Sequence, residues 1–181
     1  MITDKHQFHN KDFYVPNWDI KFLFIGTYNP SGGDTVPYYY GRKTNRHWKL
    51  LSEVFNIDFN VHNESFFKDI KNHKIGCIDL IHSVTFEQEF KELITGKGYN
   101  DNELFRKRHI KSYHTDEIIN VIRKNNLNKV YFTRTRNGFQ NEQKVELQKI
   151  ENICEVVYLS SPSPANRDRA NTLKSYKENI K

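Results

Sequence analysis

Four short apolar runs stand out along the chain, each rich in aromatic or β-branched side chains and each ended by turn-forming residues. Runs of four to eight consecutive apolar residues are typical of strands that are buried on both faces of a sheet. The pattern therefore predicts strands over residues 22–27, 75–81, 129–133 and 155–160.

Between these strands, apolar residues recur every three or four positions, which is the helical period. Trp48, Leu51 and Phe55 form one such series, a second follows Thr115 as a predicted N-cap, and a third follows Asp168. Strands that alternate with helices are joined by right-handed crossovers and pair in parallel. We therefore expect an α/β fold, a three-layer α/β/α sandwich around a central, mostly parallel four-stranded sheet.

Two stretches do not follow this alternation. Residues 28–47 have no clear period and include three consecutive tyrosines, and a loop of that length in a compact domain is usually functional. Residues 84–114 are strongly charged and are interpreted as a helical excursion with a flexible turn at residues 96–98. With 181 residues and no internal repeat, the chain is expected to form a single domain over residues 1–181.

The charge of the chain gives a first indication of its partner. Lys and Arg outnumber Asp and Glu by 28 to 22, the net charge is +6, and basic residues cluster at 42–43, 106–108 and 134–136. Basic surfaces attract phosphate groups. Charged residues also solvate any protein surface, so charge alone does not decide in favour of nucleic acid.

Several chemical classes lack their signatures in this sequence. The eight histidines are scattered without HxxxH spacing, and there is no CxxC pair, so we expect no metal. Neither a GxSxG elbow nor a P-loop is present. Cys77 and Cys154 lie in or beside apolar runs and are expected to be buried and reduced. Because no apolar stretch approaches transmembrane length, we expect a cytoplasmic protein without membrane contact.

The remaining candidates are neutral, polar loops that directly follow predicted strands. Residues 26–31 (Gly-Thr-Tyr-Asn-Pro-Ser) follow the first strand, and residues 161–167 (Ser-Pro-Ser-Pro-Ala-Asn-Arg) follow the last. Ligands of open α/β sheets bind beyond the carboxyl ends of the strands. Tyrosine rings, turn glycines and asparagine amides suit a planar heterocycle held by stacking and edge hydrogen bonds, and nucleobases are such ligands.

These segments resemble the successive motifs of the uracil-DNA glycosylase superfamily, most of all its hypoxanthine (deoxyinosine) and uracil glycosylase branch. Residues 26–31 are similar to the branch's Gly-Ser-x-Pro-Gly/Ser, and residues 39–48 (Tyr-Tyr-Gly-Arg-Lys-Thr-Asn-Arg-His-Trp) to Tyr-Tyr-x-His-Pro-x-Asn-x-Phe-Trp. Residues 159–166 (Leu-Ser-Ser-Pro-Ser-Pro-Ala-Asn) resemble Ser-Thr-Ser-Pro-Ala-Asn, and residues 78–80 resemble Trp-Asp-Val/Leu. Their order and approximate separation agree across nearly the whole chain.

The resemblance implies a monofunctional DNA glycosylase of base-excision repair. Such an enzyme flips uracil or hypoxanthine out of DNA and hydrolyses its N-glycosidic bond, without a metal or cofactor. Its partner would be DNA that contains a deaminated base, and we expect a monomer. By motif match Asn45 is the first candidate to hold the attacking water, and Asn29 is the second, because a related mismatch-specific branch places asparagine before its proline. Spacing alone also allows Asn45 to cap the helix that carries Trp48.

The resemblance also implies two sets of binding residues. Tyr39 is the stronger candidate to stack on the base, whereas Trp48 fits a core position better. The base pocket would comprise Gly26, Thr27, Tyr28, Tyr39, Tyr40, Asp79 and Thr133. The segment that presses on the DNA backbone and reaches into the vacated stack would comprise Ser161, Ser163, Pro164, Ala165, Asn166 and Arg167.

Departures from the family pattern leave alternatives open. Arg42-Lys43 stands where the branch often has His-Pro, and Thr133-Arg134 stands where the family often has Asn-Gly. A threonine hydroxyl cannot reproduce the bidentate contact of an amide with a base edge. A second hypothesis is therefore a protein that binds nucleic acid or senses damage without catalysis. A third is hydrolysis of free nucleosides or nucleotides.

Overall fold

The computed structural model describes residues 1–32, 35–96 and 99–180. Strands in these ranges are β1 (Ile2–Lys5), β2 (Phe22–Gly26), β3 (Ile75–Asp79), β4 (Ile81–Phe86), β5 (Ile110–Tyr113), β6 (Lys129–Phe132) and β7 (Glu155–Tyr158). The α-helices are α1 (His47–Phe55), α2 (Phe66–Asn72), α3 (Lys91–Ile94), α4 (Asp101–Leu104), α5 (Thr115–Lys124), α6 (Asn141–Glu151) and α7 (Arg169–Asn179).

The central sheet has four parallel strands in the order β3-β2-β6-β7. All four predicted strands are confirmed, and each ends one or two residues before its predicted end. β2 and β3 are buried at every position, as the continuous apolar runs predicted. The carboxyl ends of the four strands therefore lie along one edge of the sheet, where the motif loops begin.

Successive side chains of β2 point to opposite faces of the sheet, and each set packs against one of the two helical layers. Phe22 and Phe24 pack in one core cluster with side chains of α1, α2 and α7. Leu23 and Ile25 point to the opposite face and pack with side chains of α5 and α6. The expected three-layer α/β/α arrangement is thus confirmed.

A second, antiparallel sheet corrects the interpretation of residues 84–114. β4 pairs with β1 on one side and with β5 on the other. Helical turns occupy only the middle of the stretch, at Gln88–Phe90, α3 and α4. The strands escaped the sequence pattern because they carry polar residues: Lys111 in β5 is buried and bonds to Glu142. Of the turn predicted at 96–98, residues 97 and 98 lie outside the described ranges.

Smaller corrections concern a helix start and a cysteine. α5 has His114 at its N-cap, and the Thr115 hydroxyl donates instead to Glu146 at 2.6 Å, so the predicted cap is one residue late. Asp168 caps α7 as predicted, accepting from the backbone N–H of Asn171. Both cysteines are free, but only Cys77 is fully buried. Within the described ranges, no helix has the length and apolar character needed to span a membrane.

Candidate functional site

A cleft of about 150 Å³ opens at the carboxyl edge of the central sheet. It lies beyond the ends of β2, β3 and β6, beside the loop that follows β7. Most of the residues predicted for catalysis and base binding meet there, although they come from loops far apart in sequence. They are Thr27, Tyr28, Asn29, Tyr40, Asn45, Asp79 and Thr133, and Ser161 and Ser163 of the predicted DNA-binding segment lie there too.

Gly26 brings two of these side chains close to the end of β2. A Cβ at this position would lie 2.1 Å from Oδ1 of Asp79 and 2.9 Å from the hydroxyl oxygen of Tyr40. Contacts that short do not occur for real side chains, so only glycine allows Asp79 and Tyr40 to approach the strand. Gly26 thus contributes to the site by leaving room for these two side chains.

The two asparagines line the cleft in different ways. Oδ1 of Asn45 accepts a hydrogen bond of 2.9 Å from the backbone N–H of His47, the first residue of α1. The N-cap position itself belongs to Arg46, which makes no side-chain cap bond, so Asn45 satisfies this helix end from one residue earlier. The amide of Asn29 has no hydrogen-bond partner in the described ranges and is available to a ligand.

Tyr40 is held in an unusual conformation at the cleft. Its φ of 58° lies in the left-handed region, which is rare for a bulky residue and persists only where contacts fix it. Its hydroxyl lies 3.1 Å from the hydroxyl oxygen of Thr133, which also donates to the Ile25 carbonyl at 3.4 Å. Burial raises the pKa of Tyr40 well above its usual value, so the hydroxyl keeps its proton.

Tyr39 lies in the core, which corrects the predicted stacking role. Its side chain is fully buried, and its hydroxyl donates to the carbonyl of Tyr14 at 2.7 Å. The indole N–H of Trp48 donates to the carbonyl of Tyr39 at 2.8 Å, and Trp48 is buried as expected. The left-handed turn at Tyr40 separates the directions of the two rings, and only Tyr40 lines the cleft.

Comparisons with known proteins agree with this architecture. No protein-family model and no curated protein matches the chain. Among solved structures, it is similar to a Methanosarcina acetivorans protein determined by solution NMR and described as a candidate uracil DNA glycosylase. The TM-score is 0.56 at 19% sequence identity, over 91% of each chain. The chain therefore has a uracil-DNA-glycosylase-like fold.

On this fold, the rim of the cleft contains charged residues that no motif had indicated. The guanidinium of Arg134 pairs with Asp101 and packs over the ring of Phe105 at 4.8 Å. The Tyr99 hydroxyl donates to the other oxygen of Asp101 at 2.7 Å, and Arg42 lies 5.6 Å over the Tyr99 ring. The sequence had marked Arg42 and Arg134 as members of basic clusters and as departures from the family pattern, not as site residues, and nothing in residues 84–114 marked Tyr99 or Asp101.

The N-terminal segment also contributes to the site, again without a sequence signal. His6, fully buried just after β1, places Nε2 at 2.8 Å from Oδ2 of Asp79. His114 lies on the other side, with Nδ1 at 2.9 Å from the carbonyl oxygen of Asp79. Among the described residues, no three His, Cys, Asp or Glu side chains are grouped to hold a metal ion.

A second groove, of about 480 Å³, adjoins the loop after β7. We call it the basic groove; Thr44, Arg46, Lys49, Pro164, Asn166, Arg167 and Arg169 line it. Arg46 joins its two sides by donating to the carbonyl of Asn166 at 2.8 Å. Lys49, Arg167 and Arg169 have no carboxylate partner in the part of the chain that the structure describes. Of the predicted DNA-binding residues, Ala165 lines neither cleft nor groove but is exposed between Pro164 and Asn166.

Proposed function

We propose that this protein is a monofunctional DNA glycosylase that hydrolyses the N-glycosidic bond of a flipped-out deaminated base, uracil or hypoxanthine, in base-excision repair. The observation that carries the proposal is the meeting of Asn29, Asn45 and Ser163, from three separate motif segments, in one cleft. The uracil-DNA-glycosylase-like fold supports it. We further propose that the protein is cytoplasmic and acts as a monomer. Gel filtration tests the oligomeric state.

In the proposed reaction, the oxygen of a water forms a bond to C1′ of the sugar while the C1′–N bond breaks. The bonding electron pair leaves with the base, and the proton of the water passes to solvent or base. Positive charge develops on the sugar and negative charge on the base, so fixed dipoles near the base lower the barrier. Asn45 lies at the N-terminal end of α1, where the helix dipole favours negative charge.

Asn45 is our first candidate to position the water. Its bond to the His47 N–H fixes the amide and leaves the second lone pair of Oδ1 able to accept a hydrogen from water. Asn29 is the second candidate, because its unengaged amide lines the same cleft. Tyr40, rather than Tyr39, would stack on the base.

The basic groove is the proposed path of the DNA backbone. Lys49, Arg167 and Arg169 have no carboxylate partner among the described residues, so each can contact a phosphate without first breaking an ion pair there. Pro164, Ala165 and Asn166 lie between the groove and the cleft. From there they would reach into the gap that the flipped base leaves in the DNA stack.

The test uses oligonucleotide duplexes that carry a single uracil, hypoxanthine or xanthine, followed by alkali to break strands at abasic sites. Strand breaks above background are expected for uracil or hypoxanthine. Binding to the same duplexes, measured by fluorescence anisotropy, distinguishes the non-catalytic alternative, which the internal bonds of the Thr133 hydroxyl favour. Preferential binding without strand breaks, while a known glycosylase cleaves, would select that alternative. Cleavage of free nucleosides alone would select the third hypothesis.

A further inference from the structure

Arg42 and Arg134 both line the cleft, and they differ in how their charge is compensated. The guanidinium of Arg134 pairs with Asp101, whose other oxygen accepts from the Tyr99 hydroxyl. Arg42 has no carboxylate partner among the described residues. A guanidinium is always charged, and its donors match the geometry of carboxylate and phosphate groups. Of the two arginines, Arg42 is therefore the one whose charge is left for an anionic group of a ligand.

Arg42 lies at the mouth of the cleft and is partly exposed. It also lines two adjoining recesses, of about 830 Å³ and 390 Å³. The residues at the ends of the strands, Thr27, Asp79 and Thr133, line the cleft but neither of these recesses. A base that enters the cleft towards the strand ends therefore leaves its sugar and phosphate near Arg42.

Tyr99 orients the side chain of Arg42. The guanidinium lies 5.6 Å from the centroid of the Tyr99 ring, which is within the range of a cation–π contact. The Tyr99 hydroxyl is fixed by its bond of 2.7 Å to Asp101. Asn100, between these two residues, caps α4 by accepting from the backbone N–H of Glu103 at 2.8 Å. A ring contact engages the face of a guanidinium, so the N–H donors at its edge stay available to an anion.

The backbone of Arg42 is linked to Asn45, the first candidate to position the water. The carbonyl of Arg42 accepts from the backbone N–H of Asn45 at 2.9 Å. On the other side, the backbone N–H of Gly41 donates to the carbonyl of Tyr38 at 3.0 Å. These two turns fix the start of the Arg42 side chain relative to Asn45. A phosphate bound by Arg42 would therefore hold its nucleotide in a defined position relative to the Asn45 amide.

Resting on the proposed function, we propose that Arg42 binds a phosphate next to the extruded nucleotide, and that this contact is made only in the flipped state of the DNA. The base and its phosphate are joined through one sugar, so the phosphate reaches the mouth only when the base enters the cleft. Tyr99 is the positioning residue that holds the guanidinium there. The substrate class is thus a nucleotide within a strand, because a free nucleoside offers no phosphate to Arg42.

A contact that is made only after flipping has a different effect from those of the basic groove. It stabilises the flipped state relative to the stacked state, so it increases the affinity for a lesion and not for an undamaged duplex. Contacts in the basic groove are made with backbone phosphates of any sequence and increase both affinities equally. We call the affinity for a lesion duplex divided by that for the undamaged duplex the lesion ratio. Arg42 should therefore contribute to the lesion ratio, whereas the basic groove should not.

The first experiment measures this ratio by fluorescence anisotropy, with a duplex that contains uncleavable 2′-fluoro-deoxyuridine and with its undamaged counterpart. Arg42→Ala is expected to lower the lesion ratio by about 10- to 100-fold, the contribution of a hydrogen bond between charged groups. Lys43→Ala is the matched control, because Lys43 carries the same charge and lines both recesses but not the cleft. It should leave the lesion ratio unchanged. Equal weakening of both duplexes by Arg42→Ala would overturn the inference.

The second experiment identifies the anionic group. A single methylphosphonate, which removes the charge of one phosphate, is placed in turn at each phosphate near the lesion. At one position next to the lesion, Arg42→Ala should have no further effect on affinity, because its partner is already gone. At the other positions its full effect should remain. If the effects of Arg42→Ala and of the methylphosphonate are additive at every position, Arg42 binds no phosphate.

Variants of Tyr99 separate the ring contact from the hydroxyl bond. Tyr99→Phe keeps the ring beside Arg42 and should retain the lesion ratio. Tyr99→Leu removes the ring and should lower the ratio, but by less than Arg42→Ala does. In the Arg42→Ala background, Tyr99→Leu should have no further effect. An equal fall with and without Arg42 would contradict the positioning role of Tyr99.

The outcomes separate the inference from the proposed function. Strand cleavage at uracil, with a lesion ratio that Arg42→Ala leaves unchanged, contradicts the inference alone. Absence of cleavage, with a lesion ratio that Arg42→Ala lowers, contradicts the proposed catalysis and supports the inference. A wild-type protein that neither cleaves nor prefers the lesion contradicts both. If Arg42→Ala does not fold, as judged by its melting temperature, Arg42→Gln takes its place in each comparison.

Discussion

The ring of Tyr40 stacks on the imidazole of His47, with 4.0 Å between the ring centroids and 29° between the planes. Tyr40 lines the cleft, whereas His47 is fully buried at the start of α1 and places Nδ1 at 3.0 Å from the Tyr176 hydroxyl. Nε2 of His47 is buried without a partner in the described ranges. Tyr40 in the wall of the cleft is therefore stacked on His47, and no described residue would accept a hydrogen bond from a protonated Nε2 of this histidine.

His47 should make the protein sensitive to acid. Burial lowers the pKa of His47 to about 3, whereas an unfolded histidine has a pKa of about 6.5. Because the unfolded state then binds more protons, stability falls as the pH drops from about 6.5 towards 3, by up to about 1.4 kcal/mol per pH unit. His47→Phe removes this titration. In urea denaturation, the unfolding free energy of the variant relative to wild type should therefore rise at about that slope as the pH falls from 6 to 4.

His62→Phe, at an exposed histidine, is the control for this measurement and should keep the wild-type pH slope. Carboxylates contribute equally to all three proteins, so the difference between curves isolates His47. Parallel pH curves for His47→Phe and wild type would show that His47 is not held neutral.

Asn45 should contribute separately to stability and to catalysis. Asn45→Ala removes the acceptor of the His47 N–H, so we expect a loss of about 1 kcal/mol in unfolding free energy. Loss of the positioned amide should lower single-turnover cleavage of a uracil duplex by about 10²–10³-fold. Asn45→Asp keeps the acceptor and should retain the stability, which separates the two effects. Wild-type cleavage by Asn45→Ala would remove Asn45 from the catalytic site.

Asn29 should behave differently, because its amide has no internal partner in the described ranges. Asn29→Ala is expected to change the unfolding free energy by no more than about 0.5 kcal/mol. Any fall in its cleavage rate then reports on the reaction and not on folding. If Asn29→Ala retains wild-type cleavage and Asn45→Ala does not, the water is positioned by Asn45 alone.

Strands β2 and β3 of the central sheet could be predicted because they are buried at every position, on both faces. Continuous apolar runs such as 22–27 need no partner information to be recognised. β4 and β5 face polar surroundings on one side, and Lys111 is buried there only because Glu142 and two carbonyls surround its amine. That environment is made by tertiary contacts, so a strand with a buried lysine resembles a charged helix in the sequence.

The candidate site was predicted where its residues follow parallel strands, since the topology alone brings such loops together. Tyr39 and Tyr40 show the limit of this reasoning, because identical neighbours are distinguished only by the backbone turn at Tyr40. His6 shows another limit. Its partner Asp79 is 73 positions away, and a polar N-terminus gives no sign that β1 will pair with β4.

Gly26→Ala should disturb the site through Asp79. The added Cβ would lie 2.1 Å from Oδ1 of Asp79, so the carboxylate must move, and we expect a loss of about 1–3 kcal/mol in unfolding free energy. In the Asp79→Ala background this contact is absent, and the cost of Gly26→Ala should be smaller by about 0.5 kcal/mol or more. Combination with Lys129→Ala, at the opposite edge of the sheet, should be additive. Additivity with Asp79→Ala would show that Gly26 is not required for its approach.

The basic groove should govern the salt dependence of DNA binding. Arg167 and Arg169 line it without carboxylate partners among the described residues, so each can replace a cation condensed on a phosphate. Arg167→Ala and Arg169→Ala should each reduce the slope of log affinity against log salt concentration by about 0.9, with equal weakening for lesion and undamaged duplexes. Lys129→Ala removes the same charge from the first residue of β6, at the edge of the sheet away from the cleft. Its slope should equal that of wild type, because a general change in net charge alters affinity without removing a phosphate contact. Equal slopes for all three variants would place the DNA backbone elsewhere on the protein.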